Sequence, residues 1–372
     1  DPAKPYTITG APRVAGGKVF IGNGGAEYGV RGYVTAYDAA TGRQLWRFYT
    51  VPGDPAKGPD GAASDNQLDR IRATWFGKGW IASGGGGTVW DTIIYDTELN
   101  RLYIGVGNGS PHNYGFRSDG KGDNLFLSSI VALDPDTGRY LWHYQETPGE
   151  SWDWTATQNI ILTTLVIDRK PRKVLMQAPK NGLFYVIDRE TGVPISVDAY
   201  VPNNWFQGME PGTWRPRINP SAYWNDNSAF VLPGQTGVHN WNPMAFSPKN
   251  GLVYIPIQRN TGALFTPMRD YVAGSGIWST GLDLTTVQLP DDMRQIDAIA
   301  KKMTGALVAW DPVSRKMRWT VEQPYERNGG VLATAGDLVF QGTVDGHFVA
   351  YDATDGRKLW DYPTGNGIVA AP

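Results

Sequence analysis

The sequence predicts an all-β protein with the architecture of a β-propeller, and three observations support this prediction. A strand–turn–strand phrase recurs along the chain, its copies are spaced by roughly the length of one propeller blade, and the composition is rich in turn residues. The 372 residues include 46 Gly, 26 Pro and 15 Trp, and only 19% are charged. Such a composition is typical of a folded chain with many turns and few long helices.

The recurring phrase is an apolar strand that ends in Asp, a turn that carries Thr-Gly or its equivalent, and a second strand that reaches Trp. Four copies contain all three parts, the first two clearly and the last two weakly: 36–46, 132–142, 309–319 and 350–360. Three further segments keep only the turn or the strand–turn–strand outline: 186–195, 94–103 and 246–254. These outlines predict about seven blades.

Each part of the phrase has a physical reason. The Asp side chain can accept hydrogen bonds from backbone N–H groups of the turn, and Gly takes the positive φ that the turn needs. A Trp at the end of the second strand is expected to pack between neighbouring blades. Because one blade cannot bury both of its faces alone, repeats of this period are expected to stack radially around an axis.

We expect one β-propeller domain, residues 1–372, that is truncated at both ends and carries two loop insertions on the face of a pocket. The first insertion, 197–236, is rich in Pro, Trp, Asn and Gly, and the second spans 262–305. Within the second, Asp291–Met303 has apolar residues at helical spacing, with acidic residues first and basic residues last. This pattern predicts a short surface helix.

Charge and cysteine content exclude several classes of function. The formal net charge is −2, so the chain has no basic field that would hold nucleic acid or an anionic membrane. It has no cysteine, which excludes disulfides, thiolate metal sites and a covalently attached haem within these residues. No apolar run approaches the roughly 20 residues of a membrane span. A small neutral ligand is therefore the expected partner.

The repeat and the loops between its copies resemble those of the PQQ-dependent (quinoprotein and quinohaemoprotein) alcohol dehydrogenases. The phrase is similar to that family's tryptophan-docking motif, and the family's site motifs occur in the expected order over nearly the whole chain. Four of them are Gly22–Tyr33, Gly84–Asp91, Gly105–Pro111 and Thr147–Trp154. The resemblance implies a catalytic propeller with eight blades in the full protein, of which about seven are represented here.

The resemblance also implies a cofactor and a metal, pyrroloquinoline quinone (PQQ) and Ca²⁺. It implies that Glu27, Asn108 and Asp153 bind the metal together with the cofactor. Asp153 would in addition be the general base, and Lys180 would lie near the reactive carbonyls of PQQ. The residues implied to hold the cofactor, with Trp90 as the floor beneath it, are Thr9, Gly25, Ala26, Thr88, Trp90, Lys180, Asn240 and Trp241.

The residue types suit these roles. Carboxylate and amide oxygens are the ligands that Ca²⁺ prefers, and an alcohol needs a positioned base to take its proton. Asp153 stands between Trp152 and Trp154, an apolar setting that raises a carboxyl pKa, whereas a metal and Lys180 oppose the rise. Thr155 is neutral where lanthanide-using members of the family carry a second Asp, so Ca²⁺ is the expected ion.

Taken singly, the same residues have ordinary structural explanations. Glu27 could be a surface carboxylate, Asn108 and Asp153 suit turns, and Trp90 suits packing between blades. Lys180 precedes Asn-Gly and could be a solvated hairpin residue. The four histidines are scattered without metal-ligand spacing and are interpreted as structural: His112, His143, His239 and His347.

The activity that the resemblance implies is oxidation of a small alcohol to an aldehyde or ketone in the bacterial periplasm. Electrons would pass to a cytochrome c or a quinone, and haem c would be present only on a missing C-terminal domain or a separate partner. A rim rich in aromatic residues favours an alcohol with an apolar body: Trp205, Trp214, Trp224 and Trp278. Two alternatives remain open, namely a non-enzymatic propeller scaffold with the same repeat and a quinoprotein that acts on sugars or polymeric glycols.

Overall fold

The computed structural model describes residues 4–274, 278–288 and 290–372, which form five four-stranded antiparallel sheets. We number these sheets blades 1 to 5 along the chain. Blade 1 contains β1 (Arg13–Ala15), β2 (Lys18–Gly22), β3 (Tyr33–Asp38) and β4 (Gln44–Tyr49). The next strands are β5 (Gly85–Gly86), β6 (Ile93–Asp96), β7 (Arg101–Gly105), β8 (Gly109–Ser110), β9 (Ser129–Leu133) and β10 (Tyr140–Gln145). Blade 2 consists of β6, β7, β9 and β10, whereas β5 pairs with β8.

The remaining blades follow the same order. Blade 3 contains β11 (Ile161–Ile167), β12 (Lys170–Gln177), β13 (Leu183–Asp188) and β14 (Pro194–Ala199). The strands that follow are β15 (Phe206–Met209), β16 (Pro216–Ile218), β17 (Ala229–Val231), β18 (Ala245–Ser247), β19 (Leu252–Gln258), β20 (Ala263–Phe265), β21 (Gly305–Asp311) and β22 (Lys316–Gln323). Blade 4 consists of β18, β19, β21 and β22, while β15 pairs with β16 and β17 with β20. Blade 5 contains β23 (Val331–Ala333), β24 (Leu338–Thr343), β25 (His347–Asp352) and β26 (Lys358–Pro363).

The all-β propeller architecture is confirmed, but the seven predicted outlines correspond to only five blades among the described residues. The outlines at 94–103 and 132–142 are the two hairpins of blade 2, in which β7 pairs with β9. Those at 246–254 and 309–319 are likewise joined in blade 4, where β19 pairs with β21. The clear phrase marks the second hairpin of a blade and the bare outline marks the first, so counting both overestimates the number of blades.

The turns of the repeat have the predicted chemistry. Oδ1 of Asp38 accepts hydrogen bonds from the backbone N–H of Ala40 at 3.1 Å and from the N–H and hydroxyl of Thr41, both at 2.8 Å. Asp134 and Asp188 bind the Thr three residues later in the same way. Each Asp therefore fixes the tight turn between the third and fourth strands of its blade.

The tryptophans of the phrase dock onto the turn of the next blade. Nε1 of Trp46 donates to the carbonyl of Pro135 at 3.0 Å, and a Cβ at Gly138 would lie 2.6 Å from the indole. Trp142 packs on Gly192 in the same manner, where a Cβ would lie 2.5 Å away. The glycines are thus required both by their positive φ and by the close approach of the neighbouring indole.

Four clusters of buried side chains hold the blades together, one at each junction between consecutive blades. The junction of blades 1 and 2, for example, buries Phe20 and Val34 against Leu102 and Val131. The core of the molecule is therefore distributed between the sheets, as radial stacking requires.

Four short helices lie in the loops: α1 (Leu68–Arg72), α2 (Gly79–Ala82), α3 (Tyr114–Ser118) and α4 (Met293–Ala300). Asp292 caps α4 by accepting a hydrogen bond from the N–H of Arg294 at 2.9 Å, so the predicted surface helix at 291–303 is confirmed. None of the helices in the described ranges is long and apolar enough to cross a membrane.

Strand direction places the longer loops at one end of the blades. Because neighbouring strands are antiparallel, the connection between the second and third strands emerges opposite the Asp-Thr-Gly turns, as does the connection from one blade to the next. The loops at that end, which we call the loop face, include 23–32, 106–128, 146–160, 178–182 and 200–244. All the site residues predicted from the sequence, except Thr9, Thr88 and Trp90, belong to these five loops, and the last two belong to the inter-blade connection 50–92.

Candidate functional site

A cavity of about 430 Å³ opens on the loop face. Ten of the eleven site residues predicted from the sequence line it: Thr9, Gly25, Glu27, Thr88, Trp90, Asn108, Asp153, Lys180, Asn240 and Trp241. The eleventh, Ala26, is buried between Gly25 and Glu27 and does not reach the cavity. Side chains that are far apart in the sequence therefore share one chamber.

Glu27, Asn108, His112 and Asp153 converge in this cavity, and we call them the Glu27 cluster. Nδ2 of Asn108 lies 3.2 Å from Oε1 of Glu27 and 3.0 Å from Nε2 of His112. One ligand atom each from Glu27, His112 and Asp153 lies within 4.8 Å of the other two. Donors bound to one Ca²⁺ ion at 2.3 to 2.6 Å can be up to about 5 Å apart, so the cluster has the dimensions of a single metal site.

The two carboxyl groups of the cluster have different electrostatic settings. Burial would raise the pKa of Glu27, but the imidazole of His112 and the amide of Asn108 beside its carboxylate outweigh this effect and lower the pKa to about 2. Burial instead dominates at Asp153 and raises its pKa, although the ammonium of Lys180 opposes the rise. Glu27 is therefore suited to be a permanent anionic ligand and Asp153 to be an acceptor of protons.

Lys180 is bound to Asp153 rather than solvated. Its Nζ donates to Oδ2 of Asp153 at 3.0 Å and to the backbone carbonyl of the same residue at 2.9 Å, and only 7% of its side chain is exposed. The backbone of Asp153 has a φ of +64°, a conformation that non-glycine residues adopt at a cost. The lysine thus occupies one carboxyl oxygen and leaves Oδ1 for another partner.

Glu150 holds the loop that carries Asp153. Its Oε1 accepts hydrogen bonds from the N–H groups of Trp152 at 2.6 Å and Trp154 at 2.9 Å, on either side of Asp153. Its Oε2 accepts a hydrogen bond from the N–H of Gly109 at 3.1 Å, next to Asn108. The side chain is fully buried, so it links the two loops that supply Asn108 and Asp153.

A fully buried arginine supports the same loops from behind. Arg117 donates to the carbonyls of Pro111 at 2.7 Å, His112 at 2.9 Å and Glu150, and its Nε donates to Asn124 at 3.0 Å. Since these bonds reach three separate parts of the chain, namely 111–112, Asn124 and Glu150, Arg117 fixes the backbone on which the Glu27 cluster stands.

Two buried indoles flank Asp153 in the chain and are held by segment 200–244. The indoles of Trp152 and Trp154 stack with their centres 4.6 Å apart and donate to the carbonyls of Ala222 and Gly234 at 2.8 and 3.0 Å. Segment 200–244 therefore covers this side of the site.

The rim predicted from the sequence is partly wrong. Trp205 and Trp224 are fully buried, and they donate to the carbonyls of Asn181 and Ser151 instead of facing a ligand. Trp278, by contrast, is half-exposed and packs edge-on against Tyr28, which lines the cavity.

The residues predicted to hold a planar cofactor form the outer wall of the cavity. Trp90 is half-buried, and a Cβ at Gly24 would lie 3.7 Å from the Cβ of Trp90 and 2.8 Å from the hydroxyl of Thr7. The amide of Asn240 bonds within its own turn, to the carbonyl of Thr236 and the N–H of Trp241, both at 2.9 Å. Trp241 is half-exposed.

Sequence reasoning missed several residues of the site, of which His112 is the most consequential. It was interpreted as structural, but its side chain is almost fully buried and lies in the Glu27 cluster. Its position four residues after Asn108, a predicted ligand, was the available signal. His239 is fully buried between the carbonyls of Ala178 and Asn242, consistent with a structural role. The other missed side chains are Thr7, Tyr28 and Glu150.

Comparison with known families gives two matches. Residues 1–210 match the PQQ family, described as glucose/ethanol/alcohol dehydrogenase, beta-propeller domain. Residues 273–371 match the family described as outer membrane protein assembly factor BamB. The whole Glu27 cluster lies inside the first match.

Similar proteins and structures point the same way. The chain is 52% identical over 376 residues to quinohemoprotein alcohol dehydrogenase ADH-IIG of Pseudomonas putida, covering 100% of this chain and 52% of that protein. It superposes on the crystal structure of quinohemoprotein alcohol dehydrogenase from Comamonas testosteroni with a TM-score of 0.90 and 48% identity, over 99% of this chain and 54% of the other. A europium-containing methanol dehydrogenase has a TM-score of 0.80 at 31% identity, over 98% of this chain and 62% of the other.

The chain spans about half the length of the curated relatives it matches. The PQQ match nevertheless covers more than half of this chain, from residue 1 to residue 210, and includes all the residues that line the cavity except Asn240 and Trp241. The chain therefore belongs to the PQQ family of glucose/ethanol/alcohol dehydrogenase β-propeller domains.

Proposed function

We propose that the chain carries the catalytic site of a PQQ- and Ca²⁺-dependent alcohol dehydrogenase, which oxidises alcohols to aldehydes or ketones. The observation that supports this proposal best is the convergence of Glu27, Asn108, Asp153 and Lys180 at one cavity. Two carboxylates, an amide and an ammonium at such distances suit a metal, a base and a positive charge near the reacting atoms. A protein scaffold has no use for this set.

The cavity suits a planar anionic cofactor. Its volume of about 430 Å³ lies within the range of small-molecule sites. Hydroxyls of Thr9 and Thr88 and the ammonium of Lys180 face it, which suits carboxylate and carbonyl oxygens, and the indole of Trp90 offers a flat apolar surface. Gly24 allows the backbone to approach Trp90 where a larger residue would meet Thr7. When bound, PQQ would supply the electrophilic carbonyl that accepts a hydride from the alcohol.

The Glu27 cluster suits Ca²⁺. Glu27 and Asp153 supply hard carboxylate oxygens, and the amide of Asn108, whose Nδ2 faces Glu27, would offer its oxygen by turning over; coordination positions are left for cofactor oxygens. Thr155 lines the cavity as a neutral residue, and its hydroxyl accepts hydrogen bonds from Thr157 at 2.8 Å and Gln158 at 3.1 Å. Since Thr155 adds no negative charge, the divalent ion is the one that we propose.

Asp153 and Lys180 have different roles in the transfer of the substrate proton. Asp153 takes the hydroxyl proton of the alcohol, because burial raises its pKa and makes the carboxylate a stronger base than a solvated Asp. Lys180 holds Oδ2, which directs Oδ1 toward the substrate. Trp152 and Trp154, its neighbours in the chain, are buried apolar side chains that stack on each other.

Compartment and partners are proposed from family membership. We propose that the protein acts in the periplasm and that its electrons pass to a cytochrome c or a quinone. A haem c group, if used, would belong to a further domain or to a partner, because the chain has no cysteine to attach it. Sugars and polymeric glycols remain the alternative substrates.

A substitution at Asp153 tests the proposal. We expect Asp153→Asn in the reconstituted holoenzyme to lower turnover by about 10² to 10⁴ while PQQ binding, measured by visible absorbance, is largely retained. Asp119→Asn is the matched control, because Asp119 also has a positive φ but is exposed and outside the cavity. Loss of PQQ binding with normal residual turnover would show that Asp153 is only a ligand, and no PQQ binding by the unaltered protein would favour the scaffold.

A further inference from the structure

His112 is the one member of the Glu27 cluster that supplies a nitrogen donor. Only 4% of its side chain is exposed, and its backbone is held through its carbonyl by Arg117 at 2.9 Å and Ser151 at 3.1 Å. The ring is therefore a buried side chain on a fixed loop, and its position in the cluster is determined by the fold.

Nε2 of His112 and Oε1 of Glu27 face the same side-chain amide, that of Asn108. The amide nitrogen of Asn108 lies 3.0 Å from Nε2 of His112 and 3.2 Å from Oε1 of Glu27, so both atoms face one positive hydrogen-bond donor. Nε2 and Oε1 are themselves 3.6 Å apart. This separation is too long for a hydrogen bond but suits two donors on one ion with bonds of about 2.0 to 2.2 Å.

The other ring nitrogen leaves Nε2 free for this role. Nδ1 of His112 is buried and makes no hydrogen bond to any residue within the described ranges. No protein group therefore fixes the proton on one nitrogen, and Nε2 can offer its lone pair.

We propose that Nε2 of His112 is a donor to the metal in this site, and that it lets the site bind Zn²⁺ or Co²⁺ in competition with Ca²⁺. Imidazole suits divalent transition ions, whereas carboxylate and carbonyl oxygens suit Ca²⁺. The inference rests on the metal site of the proposed function and adds a ligand and a class of ion to it. It gives the site a selectivity that oxygen donors alone would not produce.

Metal binding to the full chain, freed of divalent ions by a chelator, tests the proposal. Co²⁺ and Ca²⁺ are titrated separately by calorimetry, and Co²⁺ also by visible absorption, into the wild type, His112→Phe and His112→Gln. We expect both variants to bind Co²⁺ about 10- to 100-fold more weakly, with Ca²⁺ affinity of His112→Gln changed by less than about threefold. His143→Phe is the control, because it removes a partly buried imidazole that hydrogen-bonds the hydroxyl of Tyr140 on blade 2, outside the cavity.

A second measurement detects an imidazole ligand directly and does not depend on a difference in affinity. In the proton spectrum of the Co²⁺-loaded wild type, a coordinated imidazole gives an exchangeable N–H signal shifted far from the protein envelope by the paramagnetic ion. The proposal expects this signal in the wild type and in His143→Phe, and its absence from the His112 variants. Unchanged Co²⁺ affinity in His112→Gln, or no shifted N–H signal in the wild type, would overturn the proposal even if His112→Phe failed to fold.

Failure of the proposed function would look different. PQQ binding and alcohol oxidation by the Ca²⁺-loaded holoenzyme test that function without reference to His112. A chain that binds Co²⁺ through His112 but does not bind PQQ would keep this inference and reject the dehydrogenase. A chain that oxidises alcohols with Ca²⁺ but shows no imidazole ligation would do the reverse.

Discussion

Replacing Glu150 by Gln should loosen the site without removing any residue that faces the cavity. The wild-type carboxylate accepts three backbone hydrogen bonds, two from the turn around Asp153 and one from Gly109 beside Asn108. Glutamine keeps one oxygen, which can still accept from Trp152 and Trp154. The NH₂ group of the glutamine would then face the N–H of Gly109. Both groups are hydrogen-bond donors, so the bond to Gly109 would be lost.

The structure gives the size of the effect. Hydrogen bonds to a charged group contribute about 1.5 to 3 kcal/mol each, and neutral ones about 0.5 to 1.5 kcal/mol. Losing the bond to Gly109 and weakening the other two sums to a destabilisation of about 3 to 5 kcal/mol. Because 1.4 kcal/mol corresponds to a factor of about ten in affinity, Ca²⁺ binding should weaken about five- to fifteen-fold if a third of this cost falls on the loops of the site.

Two measurements check the expectation: urea unfolding followed by tryptophan fluorescence, and Ca²⁺ titration by calorimetry. Glu146→Gln is the matched control, because Glu146 is equally buried but its Oε1 makes no hydrogen bond in the described structure. We expect Glu146→Gln to leave Ca²⁺ affinity near its wild-type value and not to lower the stability to urea at neutral pH. If Glu150→Gln behaved like this control, the link between the two loops would not position the site.

Further substitutions test the pH dependence, the docking of the blades and the choice of metal. Burial raises the pKa of Glu146 well above its ordinary value of 4.5, so the stability that its proton contributes is complete below that value and is lost as the pH rises. Glu146→Gln should therefore gain stability relative to the wild type from about pH 5 to pH 8 in urea unfolding. Gly138→Ala should cost about 1 to 3 kcal/mol more than Gly251→Ala in the same assay, because both glycines have positive φ but only Gly138 faces an indole. Thr155→Asp should shift metal preference toward La³⁺ over Ca²⁺ in reconstitution, and unchanged preference would show that Thr155 does not set it.

The repeat could be predicted from the sequence because its signals are local. Asp38, Thr41 and Gly42 lie within five positions, and the turn that they form needs no distant partner. Whether two hairpins share one sheet depends instead on the pairing of strands such as β7 and β9, which are separated by a loop of more than 20 residues. Periodicity carries no information about that pairing, and the number of blades was accordingly overestimated.

The candidate site shows the same limit. The predicted residues were found because their motifs occur in a recognisable order, and ten of the eleven line one cavity. Glu150 lies within the motif Thr147–Trp154 and His112 directly follows Gly105–Pro111, but neither role could be predicted, because each depends on contacts with a distant residue. These partners are Glu27 for His112 and Gly109 for Glu150, which lie 85 and 41 positions away. Side chains of this kind are identified only when the loops are seen together.

One end of each blade stabilises the fold and the other carries the site, so mutations can change the site separately from the fold. The Asp-Thr-Gly turns and their indoles fasten the blades at one end, while the loops of the other end carry the ligands. A mutation in 200–244 can reshape the approach to Asp153 without touching a docking tryptophan. New substrate preferences can therefore accumulate by drift or by laboratory selection in these loops while the scaffold retains its folding stability.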